Sequence, residues 1–242
     1  MPTEVPPSPP PAILVIPPEG GRSATAFGSH AKFKLEGRHA GNALCLGIAP
    51  TGHRGVCPAR SAARSRTLRI YVVSSAQLSA RTLDEILALC DRAYGENLRA
   101  AFRTFADPVH VLATENGSVV SHALWITRWL APGGRPPLRT AYVEAVATDP
   151  GWQGRGFASA VMRALVSEAS AFELAALSPS DRGQSLYARL GWEPWTGPLF
   201  IREDSGLIET AGEGVMIHRL PGSPPLSPSD PLSAEWRPGE LW

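Results

Sequence analysis

An α+β domain built on a mixed central sheet is the fold class that this sequence predicts, on three observations. From residue 67 onward, short alternating apolar stretches bounded by turn residues are interleaved with segments of helical period. Asn116-Gly117 stands between two of the alternating stretches, a strong signal for a two-residue hairpin and therefore for antiparallel pairing. Between Tyr142 and Leu165 a strand, a glycine-rich loop and a helix start follow one another. The resulting order, strand–helix–helix–hairpin–strand–helix–strand–helix–strand, mixes hairpins with crossovers.

Residues 68–73, with Leu68, Ile70, Val72 and Val73, read as the first strand. Ser79 or Thr82 caps a helix that runs to about Tyr94, with Leu83, Ile86, Leu87 and Cys90 on one face and Gly95 as its stop. Leu98, Ala101, Phe102 and Phe105 recur at helical spacing, predicting a second short helix over 97–105 that Asp107-Pro108 ends. The hairpin strands are 109–114 and 119–130, and Pro132-Gly133-Gly134 turns the chain. The central strand starts at Leu138; in it Val143, Ala145 and Ala147 alternate with Glu144, Val146 and Thr148. After Gly156 the period becomes helical, with Phe157, Val161, Ala164 and Leu165 on one face. Residues 172–177 read as a short buried strand. Ser178-Pro179-Ser180-Asp181 then supplies start signals for a helix over 184–190, closed by Gly191. Trp192 to Trp195 leads into another strand, and 214–220 is expected to be the last, since proline crowds 221–231.

The first 65 residues differ. Proline dominates up to Pro18, and the rest, rich in Gly, Ala, Ser and Arg, has no period. Such composition buries too little apolar surface to offset backbone ordering, so 1–65 is expected to be a disordered extension and 66–242 the folded domain. Residues 12–16 are apolar but too short for a secretory core, and no basic residue precedes them. A net charge of +1 argues against a dedicated nucleic-acid binder. No apolar run approaches the roughly 20 residues that a membrane span needs. Cys45, Cys57 and Cys90 are an odd set without metal-ligand spacing to a histidine, as expected of free thiols in a reducing, cytoplasmic compartment. No metal site is expected, and His110 and His122, beside the hairpin, read as surface or core residues.

Gly151, Gly154 and Gly156 before a helix start form a device for holding phosphate: amides at the helix N-terminus point at the anion and glycine lets the backbone close in. The spacing is neither the nucleotide-triphosphate loop nor the dinucleotide fingerprint. Gln153-x-x-Gly156-x-Ala158 resembles instead the pyrophosphate signature of the GNAT superfamily of N-acetyltransferases, Q/R-x-x-G-x-G/A. The runs YVEAVAT, WQGRG, ALSPSDRGQSLYARLGWEPWTGP and EWRPGELW together look like the aminoglycoside 2′-N-acetyltransferases. Members of that family carry YVEGVAV, a W-R-G-Q loop, A-L-S…L-Y-A-S-R-G-W-x-P-W-x-G-P and D-W-R-A-G-D-V-W. The likeness covers 68–242.

The resemblance implies the GNAT acyltransferase fold, with a splayed central strand pair flanked by helices, and acetyl-CoA as cosubstrate. It implies an acceptor amine on a polycationic small molecule, and pairing of protomers as homodimers. Val146, Thr148, Gln153, Gly154, Arg155, Gly156, Phe157 and Ala158 then fall at the coenzyme. At the reaction centre, Glu144 falls where the base sits and the Val146 amide where the thioester carbonyl is met. Tyr187 and Ser178 fall beside the leaving sulfur. Glu96, Glu144, Glu213, Glu240 and the carboxyl-terminal Trp242 fall at the substrate's amino groups. Glu96, Glu213 and Glu240 replace aspartates, and Ala101 replaces a further one. Taken alone, Glu144 also reads as a solvated strand residue, Tyr187 as core and Ser178 as a helix cap. Acetyl transfer to another small amine or to protein lysine, and acyl-CoA binding without catalysis, are the alternative functions.

Overall fold

The computed structural model describes residues 12–14, 68–239, 241 and 242. The expectation for residues 1–65 therefore lies outside the described residues except at β1, Ala12–Leu14, a strand antiparallel to β2. Glu240 lies outside them as well.

β2 (Arg69–Ser74) leads to α1 (Ala80–Tyr94), whose N-cap Ser79 accepts from the Thr82 amide and whose C-cap Gly95 takes φ 78°. Of the second predicted helix only α2, Arg99–Phe102, forms. β3 (Val109–Glu115) and β4 (Ser118–Pro132) make the predicted hairpin, with Asn116 and Gly117 both at positive φ as a tight turn requires. β5 (Leu138–Thr148), α3 (Phe157–Glu168), β6 (Leu174–Leu177) and α4 (Asp181–Arg189) follow.

The C-terminal third departs from the expected plan. After β7 (Glu193–Pro194), β8 (Leu199–Glu203) and β9 (Gly206–Glu209) form a hairpin that was not expected. β10 (Met216–Arg219) is not the last strand: β11 (Leu232–Glu235) comes after the proline-rich segment, pairing parallel with β8 and antiparallel with the end of β4. Four-residue strands with a partner 30 or 100 residues away leave too short a pattern to read.

The sheet order is β1-β2-β3-β4-β5-β6-β10-β7, with β8, β9 and β11 branching from β4. Strand alternation sends Val111 and Ala113 to the face covered by α3, where Val161, Met162 and Leu165 are buried. Leu112 points to the opposite face, where Ile86, Leu89 and Cys90 of α1 cover it. Two irregularities interrupt the pairing of β5. Its parallel pairing with β6 spans only Thr140↔Leu174 to Tyr142↔Ala176, so β5 runs on without β6, giving the splayed pair. On its other edge the register passes from Leu124↔Glu144 to His122↔Ala147, an extra residue on β5 with Ala145 at φ 50°.

Candidate active site

The splay opens a cavity of about 780 Å³. Glu144 and Val146 reach it from β5, Gly154 and Gly156 from the loop, and Ser178 and Tyr187 from the opposite side. Thr148, Gln153, Phe157 and Ala158 also line it, as does Trp242.

The loop is anchored locally. The Asp149 carboxylate accepts from the Gly151 amide at 2.9 Å and from Arg92 Nη2 at 2.7 Å. That guanidinium holds the Asp149 carboxyl below its ordinary range. Gly154 and Gly156 adopt φ 73° and 82°, which a Cβ would strain. Gly156 is the N-cap of α3 and no side chain caps it, so the first amides of the helix keep their anion-binding capacity. A diphosphate fits this donor set. Arg155 is not among the cavity-lining residues; its guanidinium stacks 4.8 Å over the Trp152 ring.

At and beyond the bulge in β5, side chains take up backbone carbonyls. Ala145 O accepts from His122, Val146 O from Tyr94 Oη (3.1 Å), Ala147 O from Ser121 Oγ (3.0 Å) and Thr148 O from Gln153 Nε2 (3.1 Å). Four successive side-chain bonds define the strand end at which Val146 sits.

Glu144 is not a solvated strand residue. Its side chain is 17% exposed and paired with Arg237, itself 10% exposed. Tyr142 lies under two guanidiniums, Arg128 at 4.8 Å and Arg237 at 5.6 Å from the ring centre. Burial first, then the Glu144 charge, drives the Tyr142 hydroxyl upward. Fully buried Arg128 ties down the tail, donating to Leu241 O at 2.7 Å and Glu235 O at 2.8 Å. Trp242 is built into the core, with Nε1 donating to Thr210 Oγ1 at 2.7 Å.

Tyr187 is buried, and burial pushes its hydroxyl up to about 12, so at neutral pH it carries a proton to give. Ser178 is exposed and does not cap α4; Ser180 does, accepting from the Gly183 amide. Glu96 and Glu213 are exposed and outside the cavity lining, although Glu213's charge is felt at Tyr142. Ala101 is half-buried on α2. Reasoning from sequence missed Arg237, Arg128 and Tyr94. Arg237 stood in the EWRPGELW run, but a partner 93 positions away leaves no local trace. His110 and His122 are buried. Among the described residues no group of three or more His, Cys, Asp or Glu is suited to a metal, and no helix is long and apolar enough to cross a membrane.

A splayed strand pair, an uncapped glycine-rich helix start, and a carboxylate and a protonated phenol lining one cavity fit an acyl-CoA-dependent transferase. Residues 76–195 match the family model described as the acetyltransferase (GNAT) domain. Over 139 residues the chain is 34% identical to the aminoglycoside 2′-N-acetyltransferase of Mycolicibacterium fortuitum, covering 55% of this chain and 71% of that protein. Among solved structures it is similar to a GNAT-family N-acetyltransferase (YhbS) from Escherichia coli in complex with CoA. There the TM-score is 0.46 and the identity 16%, covering 71% of this chain and 89% of that one. It is also similar to a GCN5-related N-acetyltransferase from Kribbella flavida (TM-score 0.44, 22% identity, 57% of this chain), spanning only 36% of that protein's length. The chain belongs to the GNAT family and is an N-acetyltransferase with acetyl-CoA as its cosubstrate.

Proposed function

We propose that this chain acetylates an amino group of an aminoglycoside, the 2′-amine, by direct transfer within a ternary complex. The likeness to the Mycolicibacterium fortuitum enzyme supports the acceptor class. The observation that carries the reading is the cavity shared by Gln153, Gly154, Gly156, Phe157 and Ala158 with Glu144, Val146, Tyr187 and the terminal Trp242. The loop amides hold the diphosphate of the coenzyme, with Arg155 adding charge at its edge. An acceptor amine at neutral pH is mostly ammonium, and each unit between its pKa and the pH costs about 1.4 kcal/mol unless a base removes the proton. Glu144 is that base, acting through a water. The Val146 amide meets the thioester carbonyl as negative charge develops on it, and Tyr187, with Ser178 beside it, protonates the departing thiolate.

Glu144, Glu96, Glu213, Glu240 and the Trp242 carboxylate supply the negative charge that a polycation needs. Longer glutamate arms and the alanine at 101 make the spectrum differ from that of enzymes with aspartates there. Cytoplasmic action belongs to the same reading, since acetyl-CoA is the donor. Thiol release from acetyl-CoA, followed with tobramycin, kanamycin A, spermidine and a lysine peptide, tests it. Tobramycin has a 2′-amine where kanamycin A has a hydroxyl, so turnover of the first and not the second is expected. Equal turnover of both would displace the 2′-position. Turnover of spermidine or peptide alone would replace the acceptor class.

A further inference from the structure

His122 on β4 and His110 on β3 are buried behind the bulge, 0% and 1% exposed, in contact with each other. His122 Nδ1 lies 2.9 Å from Ala145 O, His122 Nε2 lies 3.0 Å from His110 Nδ1, and His110 Nε2 lies 2.8 Å from Ser75 Oγ. Chemistry fixes the direction of this chain. A carbonyl only accepts, so His122 Nδ1 carries hydrogen. In a neutral ring its Nε2 is then a lone pair, which makes His110 Nδ1 the donor and leaves His110 Nε2 as an acceptor. The Ser75 hydroxyl also lies 3.2 Å from Pro108 O, but at 2.8 Å His110 Nε2 is its nearer acceptor. Burial holds both rings neutral, lowering His110 to about 4 and His122 to about 3. Three hydrogen bonds thus run one way, from an exposed serine to the carbonyl of the bulged residue. Phe102 stacks on His122 at 6.0 Å and Cys90 Sγ faces Nδ1 at 3.8 Å, closing the space around the ring.

Ala145 C=O and Val146 N–H belong to one peptide unit. The unit is planar and trans, so gripping the oxygen from behind aims the N–H the opposite way. Hydrogen bonds in series also polarise one another, which strengthens that N–H as a donor. We infer that His122, backed by His110 and Ser75, is a positioning residue for acyl transfer, holding the Ala145 carbonyl so that the Val146 amide meets the thioester oxygen. The inference rests on the role proposed for Val146 in the transfer step. It assigns a task to two histidines that a well-packed core does not require, since apolar side chains fill buried space without hydrogen bonds.

Two measurements on the full chain test it. Side-chain ¹⁵N spectra of the wild-type protein at neutral pH should show both imidazoles with hydrogen on Nδ1. Hydrogen on Nε2 of His122 would overturn the inference, whether or not any variant folds. In steady-state kinetics with acetyl-CoA and tobramycin, or the panel amine that is turned over, His122→Phe should lower kcat about tenfold. That is a part of the 10²–10³ that losing such a donor costs outright. The KM for acetyl-CoA should stay within about twofold, and His122→Asn, whose amide reaches the same carbonyl, should recover much of kcat. An unchanged kcat in a folded His122→Phe protein, with Glu144→Gln and Tyr187→Phe strongly impaired, would sink this inference alone. Unchanged turnover in all three would sink the transfer mechanism instead.

Discussion

The loop side of the cavity and its tail side are made by opposite means. On the loop side, residues 148–158 organise themselves: Asp149 caps a turn two residues on, Gln153 closes on Thr148, and two left-handed glycines bring the chain into α3. Its partners are backbone groups, the Gly151 amide and the Thr148 carbonyl, and its outside anchor is the exposed Arg92. On the tail side nothing is local. Glu144 meets Arg237, Arg128 meets Leu241 and Glu235, and Trp242 meets Thr210. The charges there are largely buried, and long side chains hold them. The lesson is that one wall of the cavity is fixed by rigid local backbone, whereas the other hangs on a segment whose placement depends on the whole sheet.

The largest expected effect falls where the two sides meet. Glu144→Gln and Tyr187→Phe should each lower turnover about 10²-fold or more while leaving acetyl-CoA affinity nearly unchanged, as measured by steady-state kinetics and coenzyme titration. On the tail side, deleting Leu241 and Trp242 removes a buried indole, at a cost of about 3–5 kcal/mol in stability by urea denaturation. Acceptor KM should rise more than that for acetyl-CoA. Arg237→Ala should move KM in the same direction, with Arg237→Lys milder; equal effects on the two substrates would erase the distinction between the sides.

Acid should weaken the buried histidine pair beside β5. His110 and His122 have folded pKa values near 4 and 3, below the unfolded 6.5, so the unfolded chain binds more protons as pH falls below that value. Their contribution to stability is full above pH 6.5 and is lost progressively as the pH falls toward 3. Cys90, the titratable neighbour on α1, is pushed up to about 12 and stays a neutral thiol throughout. Melting temperature against pH should flatten in that window when His110 and His122 are both replaced by phenylalanine. The smallest effects come from backbone strain. Gly156→Ala, at φ 82°, should cost about 1 kcal/mol and raise KM for acetyl-CoA alone. Ala145→Gly, relieving φ 50° in a non-glycine residue, should raise the melting temperature by about 2–4 °C for each kcal/mol gained.

Legibility followed the same division. α1, the Asn116-Gly117 hairpin, β5 and the start of α3 were readable because cap, turn and period lie within a few residues of one another. Gly154 and Gly156 were singled out for that reason, and Tyr187 and Trp242 through the resemblance; all four line the cavity. β8, β9 and β11 were missed because short strands declare themselves only by pairing, and β11 takes its partners from β4 and β8. Arg237 was missed because a guanidinium aimed at a carboxylate 93 positions back has no signature at either end.

By itself, then, the sequence determined the secondary elements that carry their own caps and turns, the glycine-rich loop, and the family whose motifs they spell. Only the tertiary structure decided that β5 would bulge at Ala145, that a buried imidazole would meet the carbonyl there, and that the tail would bring a guanidinium to Glu144. Local hydrogen-bond and φ preferences act over a few residues and are written in them; pairing, desolvation and charge neutralisation depend on distance in space, which the order of residues does not specify until the chain is folded.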